Sequence, residues 1–117
     1  MTDRALDDLI AAVEAGALPE AIFHGCSVVS GHWAYKTGLT AEQRNSVFLA
    51  YNGSLDAAKA LHEALLSKDC HFNLMEDEDA GGYQAEVYLN RWIYAGLSCP
   101  ARAWLLAILR AYRGMQG

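Results

Sequence analysis

Histidine and cysteine side chains are the residues of this chain most capable of binding a metal ion. Five of them could act together: His24, Cys26, His32, Cys70 and His71. Structural zinc sites use about four such ligands, commonly with paired cysteines or histidines at short, regular spacing. The order His-x-Cys-x5-His matches none of the common zinc motifs, and the sequence contains no Cys-x-x-Cys. We predict no metal site and no cofactor; the alternative is a metal-binding or small-molecule-binding domain around the loop His24–Tyr35.

The cysteines are also the obvious candidates for a nucleophile. Cys99 lies at the start of a predicted helix, whose dipole favours a thiolate, and Cys26 lies two residues from His24. Neither has a flanking sequence typical of a catalytic nucleophile, such as the Gly-x-Ser-x-Gly turn of hydrolases. We predict that the protein is not an enzyme and has no catalytic residue.

Acidic and aromatic residues in predicted loops are better suited to protein recognition. Glu76–Asp79 is a run of four acids in a predicted hairpin loop. Loops often carry function, and tyrosine and tryptophan commonly anchor protein interfaces. Two aromatic residues lie in an irregular segment, and a third lies on the hairpin face opposite Val87. We predict that a protein partner binds at seven residues: Trp33, Tyr35, Glu76, Asp77, Glu78, Asp79 and Tyr88.

The composition is that of an ordinary globular protein. The chain has 117 residues, of which 53% are hydrophobic, and we expect a single domain over residues 1–117. The formal net charge of −5 argues against direct binding to duplex nucleic acid or to an anionic membrane surface. The three cysteines have no disulfide-framework spacing, the first residues do not resemble a signal peptide, and no apolar run could span a membrane. We expect a cytoplasmic protein.

The first half of the chain has the periodicity and the capping residues of helices. Leu6, Leu9, Ile10 and Val13 form the apolar stripe of a first helix. Thr40-Ala-Glu-Gln43 is a capping box that predicts another helix, ended by Asn52-Gly53. Ser54 caps the next one. Its predicted buried side consists of Leu55, Ala58, Leu61, Leu65 and Leu66, with His62 lying elsewhere.

The second half has a different period. The segments 71–75 and 83–89 alternate and are separated by the polar, glycine-rich stretch Glu76–Gly82, which predicts a β-hairpin. The segment Asn90–Leu97 could extend the second strand or start a crossover. A last helix follows Pro100 and is predicted to end at Gly114. Helices, then strands, then a helix indicate an α+β fold, with a small antiparallel sheet packed between helices.

Four segments together resemble the phage ABA-sandwich domain family. They are ALDDLIAAVEAG (5–16), AYNGSLDAAKALHEALL (50–66), YQAEVYLNR (83–91) and SCPARAWLLAILRAYR (98–113). The resemblance implies layers of helix, sheet and helix and an origin in phage or prophage regions, and it transfers no catalytic residue. This chain departs from the family pattern at residues 68–71, where a Gly-Trp pair is usual, and the loop 26–38 has no counterpart.

These observations favour a non-catalytic interaction protein encoded by a phage or prophage. Its partner would be a host or phage protein in a bacterial cytoplasm, and inhibition of a host defence complex, as by an anti-CRISPR, is one specific form. We expect no membrane partner. Self-association through an open edge of the hairpin is a further possibility, because unpaired strand edges can pair with a second copy.

Overall fold

A computed structural model describes residues 2–15, 39–77, 82–88 and 92–116 of the chain. These ranges contain four helices and three strands, in the order α1 (Thr2–Ala15), α2 (Ala41–Tyr51), α3 (Leu55–Leu65), β1 (Phe72–Asp77), β2 (Gly82–Tyr88), β3 (Trp92–Leu97) and α4 (Pro100–Gln116). The α+β class predicted from the sequence is confirmed. None of the described helices is long and apolar enough to cross a membrane.

Side-chain caps fix where α2 and α3 begin. The Thr40 hydroxyl accepts from the Gln43 amide at 3.1 Å, and the Gln43 side chain accepts from the Thr40 amide at 2.9 Å, so the predicted capping box is confirmed. The Ser54 hydroxyl caps α3 by accepting from the Ala57 amide at 3.1 Å. Gly53 has φ of +108°, a conformation that side-chain-bearing residues rarely adopt, and it closes the turn between the two helices.

The buried face of α3 differs from the predicted one: Leu55 is exposed, Leu66 is only partly buried, and Ala57 and His62 are buried although they were not predicted to be. Ala58, Leu61 and Leu65 are buried as expected. Leu55 is exposed, because it lies at the margin of the buried face in the first turn. His62 was predicted to lie off this face and is 2% exposed, because the face extends round the helix to include it. The prediction that α3 is a core element stands, but its buried side includes an ionisable residue.

The strands form one antiparallel sheet in the order β1-β2-β3, with β2 in the centre. Leu74 pairs with Ala85, which pairs with Ala95, and these three side chains lie on the inner face of the sheet. The segment that the sequence left open is therefore a separate third strand that turns back along β2. Glu76 and Asp77, predicted in the loop, are the last two residues of β1.

Helix α4 lies between the sheet and the other described helices. It contacts all three strands and also α1, α2 and α3. From Ala103 to Leu109 every side chain is buried, so the helix has no solvent-exposed stripe over this stretch. It continues through Gly114 to Gln116, past the predicted end, because one glycine costs a helix only about 1 kcal/mol.

Arginines of α4 link this helix to α1 and α2. The Arg102 Nε donates to the Tyr51 carbonyl at 2.6 Å, and its guanidinium lies 4.0 Å from the centre of the Tyr51 ring. Arg110 pairs with Glu14 at 3.1 Å and Arg113 pairs with Asp7 at 2.8 Å, which links the end of α4 to α1. These last two pairs are partly exposed, so they orient the helices more than they stabilise them.

Candidate functional site

The face of the sheet that points away from α4 carries several large, exposed apolar side chains. We call it the outer face; its residues are Asn73, Met75, Gln84, Glu86, Tyr88, Trp92, Tyr94 and Gly96, which alternate with the buried positions. Four of these side chains are large, apolar and exposed: Met75 (41%), Tyr88 (43%), Trp92 (38%) and Tyr94 (52%). Single exposed apolar residues are common, but a group of this kind commonly marks an interaction site.

Three of the four form what we call the outer aromatic cluster, Tyr88, Trp92 and Tyr94. Tyr88 and Trp92 are cross-strand partners, and their rings meet edge to face with centres 5.3 Å apart. Tyr94 lies two residues after Trp92 on the same face and is the cross-strand partner of Glu86. Directly paired side chains in antiparallel strands lie roughly 5 Å apart at Cβ. Glu86 therefore lies next to residues of this cluster on both β2 and β3.

Hydrogen bonds from outside the sheet fix the backbone of this cluster. The Tyr88 amide donates to the His71 carbonyl at 2.9 Å, and the Tyr88 carbonyl accepts from the Cys70 thiol at 3.1 Å. The Tyr94 carbonyl accepts from Arg110 Nη1 at 2.8 Å. These bonds hold the end of β2 and the backbone of β3 at Tyr94 in place, so the aromatic side chains are presented from a fixed backbone.

The structure locates some of the seven residues that the sequence predicted to bind a partner. Tyr88 lies on the outer face, exposed, on the opposite side of β2 from Val87, as expected. Glu76 is exposed, but it pairs with Tyr83 at the other end of the sheet and on the other face. The structure therefore does not bring Glu76 and Tyr88 together. Asp77 ends β1. Glu78, Asp79, Trp33 and Tyr35 lie outside the described residues.

The sequence prediction missed four residues of the outer face, namely Met75, Glu86, Trp92 and Tyr94. The signal was present in the segment WIYAGL, where residues 92, 94 and 96 face out and 93, 95 and 97 face in. Every residue of this strand is apolar or glycine, so the alternation of polar and apolar residues that identifies a half-exposed strand is absent.

A second cluster lies on the inner side of the sheet around His62. Its Nε2 bonds to the Cys70 carbonyl at 2.9 Å, and its Nδ1 accepts from Trp104 Nε1 at 3.3 Å. The Phe72 ring stacks on Trp104 with centres 4.4 Å apart. Both ring nitrogens of His62 are thus used within the protein, and the cluster is structural rather than a binding site.

The described cysteines are Cys70 and Cys99, and both are partly buried. Burial raises the pKa of the Cys70 thiol, which disfavours the thiolate that a nucleophile needs. Cys99 is half-buried at the start of α4, where its carbonyl accepts from the Ala103 amide. Within the described ranges no three His, Cys, Asp or Glu side chains are placed to hold a metal ion. The proposed loop His24–Tyr35 lies outside those ranges.

Comparison with protein-family models, with curated proteins and with solved structures gives no match to this chain. The resemblance to the phage ABA-sandwich family therefore stays a prediction, and the outer face of the sheet is the feature of the described structure from which a function can be inferred.

Proposed function

We propose that this chain is a non-catalytic interaction protein that binds another protein through the outer face of its sheet. The observation that carries the proposal is the outer aromatic cluster, in which three large aromatic side chains are exposed side by side on a fixed backbone. Tyrosine and tryptophan contribute a disproportionate share of binding energy at protein interfaces. Met75, on the edge strand β1, is a further exposed apolar side chain on the same face, and it can adapt its shape.

The proposal includes the origin that the family resemblance implies. The protein would be encoded by a phage or prophage and would bind a host or phage protein in the bacterial cytoplasm. Inhibition of a host defence complex is one specific form. The net charge of −5 supports it, because an acidic protein can occupy a basic surface that otherwise holds nucleic acid.

An affinity experiment with two matched variants tests the proposal. The outer-face variant carries Tyr88→Thr and Tyr94→Thr, which remove two exposed rings and keep residues suited to strands. The control variant carries Leu49→Ala and Leu55→Ala, which remove two side chains that are also exposed but lie on α2 and α3. Tagged forms of both variants and of the original protein are used to capture partners from a bacterial lysate, after circular dichroism shows that each is folded.

The expected result is a partner, identified by mass spectrometry and then purified, that binds the original protein and the control variant but not the outer-face variant. Equal capture by the outer-face variant would show that the partner binds elsewhere. A protein that captures nothing above an untagged background would contradict the interaction function itself. Replacing the acids at positions 76–79 by Asn and Gln tests separately whether they contribute to the same surface.

A further inference from the structure

Glu86 lies within the outer aromatic cluster, and its surroundings indicate what kind of group a partner presents there. It is half-buried on the central strand, with Tyr94 directly across on β3 and Tyr88 two residues further along β2 on the same face. Trp92 lies next to Tyr88, in ring contact with it. One carboxylate is therefore bordered by aromatic rings on β2 and β3.

The carboxylate of Glu86 has no counter-charge within the described structure. It forms no ion pair with any described residue, and the three strands contain no Lys, Arg or His. Arg110, which bonds to β3, binds the Tyr94 carbonyl and the Glu14 carboxylate instead. Covering the outer face with an apolar partner would thus remove water from an unpaired carboxylate, which is costly.

We propose that the outer face binds a cationic side chain, an arginine or lysine on a basic segment of the partner, with Glu86 pairing to its charge and the outer aromatic cluster contacting its flanks. Aromatic faces attract cations, and arginine in particular stacks on such rings while bonding a carboxylate. A second copy of this chain bound face to face is a poor occupant, since it would bring two Glu86 carboxylates together, and the described residues of the outer face include no cation. This proposal rests on the proposed function and specifies the chemistry of the partner.

Binding of short peptides to the purified full chain tests the proposal without knowledge of the partner. The probes are capped tetra-arginine, tetra-lysine and tetra-glutamate peptides. Their binding is measured from changes in the amide NMR spectrum of the protein. The variants are Glu86→Gln, which removes the charge and keeps the shape, and Tyr94→Leu, which removes the ring and keeps apolar bulk. Glu63→Gln is the matched control, because Glu63 is an exposed acid on α3.

We expect the arginine peptide to shift the amide signals of residues 86–88 and 92–94. The lysine peptide should bind more weakly, and the glutamate peptide should cause no shift. Glu86→Gln and Tyr94→Leu should each weaken this binding by about fivefold or more, whereas Glu63→Gln should leave it nearly unchanged. Shifts spread evenly over all acidic surfaces, or equal binding by Glu86→Gln and Glu63→Gln, would overturn the cation site.

The two proposals fail in different ways. If the Tyr88→Thr/Tyr94→Thr variant loses a protein partner that Glu86→Gln still binds, the interaction function is supported and the cation site is refuted. Peptide binding that depends on Glu86, combined with no captured protein, would keep the cation site and refute the interaction function.

Discussion

His62 shows how a single side chain can connect the two halves of the fold. The Trp104 Nε1–H group can only donate a hydrogen bond, so the His62 Nδ1 that faces it carries a lone pair rather than a proton. The proton of the neutral ring is then on Nε2, which donates to the Cys70 carbonyl. One ring thus joins α3 to α4 and to the segment that leads into β1.

Replacing His62 by leucine should lower the free energy of unfolding by about 2 kcal/mol or more, because the Trp104 N–H and the Cys70 carbonyl both lose their partner. Trp104→Phe removes the donor of the hydrogen bond to His62 Nδ1. The free energy of unfolding that the double variant loses should be about 1 kcal/mol smaller than the sum of the two single losses. Urea unfolding measures all three variants. His71→Leu is the control at an exposed site, and strictly additive effects would contradict the coupling.

Ser67 carries local backbone strain after α3. Its φ of +137° is a conformation favoured by glycine. Ser67→Gly should relieve the strain, while Ser67→Ala keeps it, and both lose the hydroxyl that accepts from the Asp69 amide. We therefore expect the glycine variant to be more stable than the alanine variant by about 1 kcal/mol in thermal unfolding. Equal stabilities would mean that the conformation costs nothing in solution.

Neither residue could be identified from the sequence, and the reason is the same for both. His62 lies at the edge of the apolar stripe of α3, and only the position of Trp104, 42 residues later, makes its burial favourable. The strain at Ser67 depends on how the chain must turn from α3 to β1. Tertiary contacts decide both, whereas the caps at Thr40 and Ser54 involve neighbouring residues and were predicted correctly.

At the scale of the elements, Gly82 determines how closely the start of β2 approaches the end of β3. A Cβ atom at this position would lie 2.5 Å from the Leu97 carbonyl oxygen and 2.6 Å from the Ser98 Cα, both backbone atoms that cannot rotate away. The first residue of β2 therefore has to be glycine if β3 is to run to Leu97 and turn into α4.

Gly82→Ala should destabilise the protein by about 1–3 kcal/mol, because the strand ends must separate to admit the methyl group. Gly96→Ala is the matched control in the same sheet, since its Cβ would meet only the Tyr83 carbonyl oxygen at an ordinary 3.7 Å. Chemical unfolding should place the control within about 0.5 kcal/mol of the original protein. A harmless Gly82→Ala would mean that the close approach is absent in solution.

Elements with a regular alternation of polar and apolar residues were predictable, whereas burial on all sides and a strand without polar residues were not. Helices α1 and α3 have clear apolar stripes, and β2 alternates between small or branched buried residues and polar ones. Helix α4 was predicted from Pro100 at its start and Gly114 near its end, but its burial on all sides is a property of its neighbours. Strand β3 was left open because an aromatic outer face and an aliphatic inner face look alike in sequence.

At the scale of the whole molecule, α4 is the element that makes the layers depend on one another. The sheet packs on it from one side, and α1, α2 and α3 pack on it from the other. A small antiparallel sheet needs its hydrophobic face packed for stability, and isolated helices of 11 residues are unstable in water. Each layer therefore needs α4, and we expect them to unfold together.

Ile108→Ala tests this dependence, because Ile108 is fully buried within α4. Loss of its side chain should cost about 2–5 kcal/mol, and native-state hydrogen exchange should show the same loss of protection for the slowest amides of β2 and of α3. Met115→Ala, at an exposed site near the end of the same helix, should leave both sets unchanged. If β2 kept its protection while α3 lost it, the sheet would have to be stable without the helical layer, and α4 would not be the shared core.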